Sequence, residues 1–168
     1  SRQPTPGSHH GLLWGLFALA LVARAAVAFG ALGAMPMVSD AESYTEEARR
    51  LLRDFPGAKP FYWPPGNPVA LWAFFRTFGD SDAIARLFAV LCGAAWVPLT
   101  AAIAGRVFAR SGAARAATLA TGVLAALYAP ALLLAGLPYA QHLSALCLTL
   151  MAWLALPALA PEGDAAPR

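Results

Sequence analysis

The sequence predicts an all-α integral membrane protein with four transmembrane helices and a first extracytoplasmic loop that carries two surface helices. Three observations carry that expectation. Hydrophobic residues make up 59% of the chain and charged residues 12%, where a soluble domain averages about 25% charged. The apolar residues come in long runs, and Gly11–Ala34 and Ile84–Phe108 each exceed the ~20 residues that cross a bilayer core. The single long polar stretch between apolar ones, Ser39–Pro68, holds Asp40, Glu42, Glu46, Glu47 and Asp54. A water-exposed loop held against a membrane face accommodates that stretch.

The same composition excludes other classes. The net charge is +3 and no basic tract suggests a nucleic-acid partner. Cys92 and Cys147 both fall in apolar runs, so no disulfide framework is indicated. Lys59 is the only lysine amid heavy use of Ala, Gly, Leu and Arg, the composition of a GC-rich bacterial genome.

Residues 1–10 form a polar tail. Its adjacent His9 and His10 make a poor metal site, and no cofactor is expected; divalent metal dependence is left open. Residues 11–34 are the first span. A signal peptide is the competing reading, but the run is too long for one and Arg24 interrupts it. Arg24 is costly in a span, by roughly 2.5–3.5 kcal/mol on insertion scales. Two readings stand: it snorkels to the outer headgroups, or it points toward a buried anionic ligand or a loop carboxylate.

Residues 35–83 form the extracytoplasmic loop. Ser39 and Glu42 have the spacing of a capping box. Ala41, Tyr44, Ala48, Leu51, Leu52 and Phe55 follow as one apolar helical stripe, and Glu46 pairs with Arg50 at i,i+4 on the other face. Such a helix lies flat on a membrane or packs on a neighbour. Asp54, Phe55, Pro56 and Gly57 end it. Pro60, Pro64, Pro65 and Pro68 then oppose regular structure, with the interfacial aromatics Phe61, Tyr62 and Trp63 among them. Val69–Phe78 is too short to span and reads as a second surface helix closed by Gly79. Asp80-Ser81-Asp82 starts the next helix, with its acids where the dipole favours them.

Residues 84–108 are the second span, with Arg86 just inside its start and Pro98 expected to kink it. Arg106, Arg110 and Arg115 surround the connection 109–114 with no acid among them, which makes that connection cytoplasmic. Both chain ends are then cytoplasmic and the loop is outside. Residues 116–134 are the third span, Ala135–Pro138 a tight outer turn, 139–159 the fourth span, and 160–168 a cytoplasmic tail. Gln141 and His142 open the fourth span, where a histidine is more often a hydrogen-bonded helix-end residue than a ligand.

Several segments, in order, resemble one family. They are SDAESY with Asp40 and Tyr44, PFYWPPGNPVALWAFFRTFG from Pro60 to Gly79, IARL at Ile84–Leu87, GRVFAR at Gly105–Arg110, and LAALYAPALLLAGLPYAQHL from Leu124 to Leu143. Together they resemble the N-terminal part of the GT-C superfamily of membrane glycosyltransferases. The nearest likeness is to the bacterial dolichyl-phosphate-mannose–protein mannosyltransferase and aminoarabinose transferase families. The resemblance covers roughly Arg24–Trp153 and implies a partial GT-C module in the bacterial inner membrane. It further implies transfer of a sugar from a polyprenyl-phosphate donor to an acceptor hydroxyl at the outer face. Asp40 stands where the family places its general base. Arg24, Lys59 and Arg86 are candidates for the donor phosphate, and Tyr44, Tyr62 and Trp63 for the substrate.

The chain also departs from that pattern. Relatives often carry Lys or His before the Pro-Pro pair, where Trp63 stands here, and an acid at the start of the fourth span, where Gln141 and His142 stand. The family module has about seven spans, so four suggest a fragment or a truncated homologue, inactive as residues 1–168 alone. Two functions are therefore carried forward. One is the N-terminal part of a glycosyltransferase; the other is a catalytically silent subunit packed against other membrane subunits.

Overall fold

The structure is a computed structural model that describes residues 7–55 and 60–156, with the side chains of residues 7–9 left aside. Its described residues are all-helical. Lys59, the helix-ending Pro56 and Gly57, and much of both tails lie outside them.

Helix α1 spans Gly7–Ala25 and passes directly into a π-helical turn, Ala26–Ala31, closed by Leu32 N–H donating to the Val27 carbonyl at 2.8 Å. Together His10–Ala31 are long and apolar enough to cross a membrane. Helix α4, Asp82–Val107, also meets that standard and runs unbroken through Pro98. Its start falls where the sequence places it, at Asp80-Ser81-Asp82, and is capped by Ser81, whose Oγ accepts from the Ile84 amide at 3.3 Å.

The expected third span, 116–134, is broken. Helix α5 covers Ala114–Ala126, and a separate short helix α6 covers Ala129–Leu133. The cause is Pro130. It has no amide to offer the Ala126 carbonyl, and its ring would clash with that carbonyl in a continuing helix, so the chain turns at Tyr128, extended at φ −61°, ψ 108°, and Pro130 falls in the first turn of α6. Helix α7 covers Ala140–Ala155, shorter than the expected 139–159. At ~1.5 Å per residue the 13 residues of α5 and 16 of α7 fall short of a ~30 Å hydrocarbon core. Two helices therefore meet the length and hydropathy of a span, and α5 and α7 are apolar but shorter.

Helices α1, α4 and α5 share a core of Leu16, Ala20, Ala94, Val97, Ala101, Ala125 and Ala126. Small residues let the backbones approach closely. A Cβ on Gly122 of α5 would lie 2.3 Å from Leu16 Cδ1 of α1, so any larger residue there forces the pair apart. Large apolar side chains face outward instead, including Trp14, Val22, Leu124, Leu148, Met151 and Leu154.

A second cluster holds the loop to the bundle. Helix α2, Asp40–Arg53, and helix α3, Gly66–Phe78, bring Ala48, Leu71 and Phe75 against Ala85, Phe88 and Cys92 of α4. The predicted stripe on α2 is present, with Ala41, Tyr44, Ala48 and Leu51 buried. Phe55 is half exposed but stacks on Trp72 at 4.3 Å.

Three local expectations are corrected. The capping box does not form, because Ser39 adopts φ 56°, ψ −136° and makes no side-chain bond to the helix amides. Arg50 pairs with Glu47, not Glu46, its Nε donating at 3.0 Å. Helix α3 starts before Val69 and includes Pro68, which sits in the first turn where an amide would have no helical partner.

Two arginines tie the loop end of the bundle together. Arg49 of α2 donates to Asp80 at 2.7 Å and Asp82 at 2.8 Å. Arg86 of α4 is buried and donates to the carbonyls of Gly136, at 2.8 Å, and Met35. Arg86 thereby links α4 to the segments after α1 and before α7. We expect Arg86→Gln to lower stability by about 2 kcal/mol, since each carbonyl left buried without a donor costs ~1–3 kcal/mol and the shorter amide retains at most one. A detergent melt unchanged from wild type would contradict this.

Candidate functional site

The segment joining the first apolar helix to α2 turns abruptly at Ser39. Among the described residues it is the only non-glycine residue with positive φ. Such a conformation costs on the order of 1–3 kcal/mol and persists where surrounding structure imposes it. It places Asp40 at the first position of α2, half-buried, with its carboxylate accepting a long 3.5 Å bond from Ser39 Oγ. An acid there is favoured by the helix dipole and leaves lone pairs for another donor.

One turn on, Tyr44 is buried at 6% exposure. Its ring lies 6.1 Å from Trp63, which in turn packs edge-on to Tyr62 at 5.1 Å. The proline-rich segment therefore packs its Trp63 against Tyr44 of α2, one turn from Asp40. Tyr62 is 88% exposed. The Trp63 indole N–H is buried with no acceptor among the described residues. Beside these rings is an open groove of about 640 Å³ lined by Ser43, Glu46, Glu47, Arg50, Arg53 and the two aromatics, with Arg49 at its edge. Arg50 also lies 5.6 Å over the Phe61 ring. Asp40 adjoins this groove in sequence without lining it.

Burial raises the pKa of the Tyr44 phenol above its ordinary value, and the nearby Asp40 charge raises it further. A phenol whose folded pKa is raised is neutral longer in the fold. Its contribution to stability is therefore intact below the unfolded value near ~10 and is lost as pH climbs from there through the raised value in the fold. We expect Asp40→Asn to lower the Tyr44 pKa by removing the charge while leaving the burial. Phenolate absorbance followed through an alkaline titration reads this, and an unshifted Tyr44 would separate the two residues.

The structure does not bring Arg24 or Arg86 to Asp40 through any hydrogen bond or ion pair. Arg86 is held by carbonyls, as above. Arg24 is fully buried, so it does not snorkel, and among the described residues no carboxylate pairs with it. Its Nη1 donates to the Ala126 carbonyl at 3.1 Å and its Nη2 to Ala125 at 3.2 Å. These are the last two carbonyls of α5. The residue four past Ala126 is Pro130, which has no N–H. Arg24 supplies the donor that the proline cannot.

His142 also reaches a main-chain carbonyl. Its Nε2 lies 2.9 Å from the Leu134 carbonyl, which accepts from the Leu137 amide at 3.0 Å as well. An acceptor there makes Nε2 the protonated nitrogen. His142 is thus the hydrogen-bonded helix-end residue expected. Gly93 of α4 makes room for both side chains, since a Cβ there would come within 2.9 Å of Arg24 Nε and 3.5 Å of His142 Nδ1. Arg24, Gly93 and His142 border an apolar cavity of about 220 Å³ with Trp96, Tyr128 and Leu134. Among the described residues no group of three His, Cys, Asp or Glu side chains forms a metal site.

Sequence reasoning missed the groove on α2 and the carbonyl-capping arginines. Only the i,i+3 and i,i+4 charge pattern of α2 hinted at the first. Comparison with protein-family models, with curated proteins and with solved structures finds no match to this chain.

Proposed function

We propose that this chain is part of a membrane glycosyltransferase that takes a sugar from a polyprenyl-phosphate donor at the outer membrane face, with Asp40 as general base. The observation that carries the reading is the strained Ser39, which sets the half-buried Asp40 carboxylate at the head of α2 beside Tyr44. Backbone outliers of this kind cluster at functional sites, and a base must present a free carboxylate within reach of the acceptor hydroxyl. Tyr62 and Trp63 offer a sugar an aromatic face next to the polar groove. The apolar exteriors of α1, α5 and α7 suit lipid better than water, which supports four membrane-embedded segments, the third formed by α5 and α6 together. The positive charges at Arg106, Arg110 and Arg115 support an inner-membrane orientation with the loop outside.

A second reading is a silent structural subunit. It is favoured by the use of Arg24 and Arg86 on main-chain carbonyls, which leaves neither as a dedicated phosphate ligand. The test is a transfer assay on the full-length gene product in liposomes, with a panel of polyprenyl-phosphate sugars and release of free polyprenyl phosphate as readout. Donor-dependent release supports the enzyme. No release with any donor, from protein shown to be folded, selects the subunit.

A further inference from the structure

At the end of the bundle away from the loop, a cavity of about 480 Å³ lies among four helices. Its lining includes His10 and Leu13 of α1, Gly105 and Arg106 of α4, Thr118 of α5 and Trp153 of α7. The walls are apolar, and the Thr118 hydroxyl is already spent on the Ala114 carbonyl at 2.8 Å. Arg106 stands at the edge. Its guanidinium carbon lies 3.2 Å from the centre of the Trp153 ring, and Nη1 donates weakly to the Trp153 carbonyl at 3.4 Å. Among the described residues its other N–H groups meet no acceptor. The ring fixes the guanidinium at the cavity and leaves its other N–H groups for a ligand there.

Among the described residues every carboxylate lies at the loop end of the bundle or on the loop itself, and none at this end. From Ala83 to Leu156 the sequence contains no Asp or Glu, while Arg106, Arg110 and Arg115 follow one another across the α4–α5 connection. Beside the cavity, α5 and α7 expose Leu119, Leu148, Met151 and Leu154. We propose that this cavity holds the phosphodiester head of one anionic phospholipid from the adjoining leaflet, with its acyl chains against α5 and α7. Arg106 supplies the charge-assisted hydrogen bonds, the apolar walls receive the glycerol region, and the exposed leucines meet the chains. Basic pockets between membrane helices take anionic headgroups for these reasons. The proposal rests on the membrane reading and is independent of sugar transfer.

The test uses the full-length protein in nanodiscs of equal phosphatidylglycerol and phosphatidylcholine, with retained lipids counted by native mass spectrometry. Wild type is expected to retain phosphatidylglycerol preferentially. Arg106→Gln is expected to cut that retention about fivefold, the equivalent of ~1 kcal/mol for one cation at the surface. Arg106→Lys should keep the preference, because the charge remains. Arg76→Gln, an exposed cation on α3, should also keep it. Equal retention of both lipids by wild type would overturn the proposal, as would an unchanged preference in Arg106→Gln. The same loss in Arg76→Gln would show a general surface effect, and displacement of the lipid by inorganic phosphate would show a free-anion site; either result also overturns it.

Discussion

On the proposed general-base role of Asp40, Asp40→Asn is expected to lower sugar transfer by the full-length protein by about 10²–10⁴-fold, the usual weight of general-base catalysis, while its melting temperature barely moves. The two effects separate because Asn keeps the shape and removes only the basicity. Its amide oxygen still accepts from Ser39 Oγ, a bond that at 3.5 Å contributes little. The helix loses one favourable first-turn charge, worth ~0.3–1 kcal/mol. Glu42→Gln is the matched control. Glu42 lies in the same first turn, is exposed, and makes no capping bond. It should lose a similar dipole contribution and keep near-normal turnover. Steady-state transfer in liposomes, with thermal melts alongside, distinguishes the two variants. Near-wild-type turnover for Asp40→Asn would sink the catalytic assignment and favour the structural subunit.

Arg24→Met destabilises the bundle by about 2–4 kcal/mol. Met fills most of the volume and removes the cost of burying a charge, which acts in its favour. Against that, the carbonyls of Ala125 and Ala126 lose their donors in a site that water does not reach. Each orphaned carbonyl costs ~1–3 kcal/mol, and α5 cannot relieve them by continuing, because Pro130 has no amide. The account therefore predicts a rescue. Pro130→Ala in the Arg24→Met background lets the helix run on and supply the Ala126 carbonyl itself, recovering part of the loss. On wild type, where Arg24 already serves that carbonyl, the same change should gain much less. Additive effects of the two substitutions, measured in detergent melts, would contradict the link between them.

Much of this architecture is legible in the sequence. The period of Ala41, Tyr44, Ala48 and Leu51 gives α2 and its buried face, and the unbroken apolar runs give α1 and α4, because local pattern decides both. The start of α4 at Asp80-Ser81-Asp82 is readable for the same reason. The sequence is less informative where distant residues settle the outcome. Arg24 and Pro130 are far apart in the chain, so nothing local says that one replaces the amide the other lacks. The break at Tyr128 looks from sequence like a proline near the end of a long span, yet it ends α5 well short of one. The Ser39–Glu42 spacing matches a capping box, but the chain must turn sharply from the first helix into α2, and that turn takes Ser39 out of capping geometry. Of the candidate site, Asp40, Tyr44 and the loop aromatics assemble from neighbouring segments. Arg24 and Arg86 are drawn instead to carbonyls that only the folded bundle exposes.

In the proposed topology Asp40 and its loop lie on the outer side of a bilayer and the Arg106–Arg115 connection on the inner side. Single cysteines at Ser43 and Ser111, both exposed, test it in a background lacking Cys92 and Cys147. On intact cells an impermeant thiol reagent should label Ser43→Cys at once and Ser111→Cys only after the membrane is opened. Labelling of Ser111→Cys alone, or of both sites equally on sealed cells, would contradict the account.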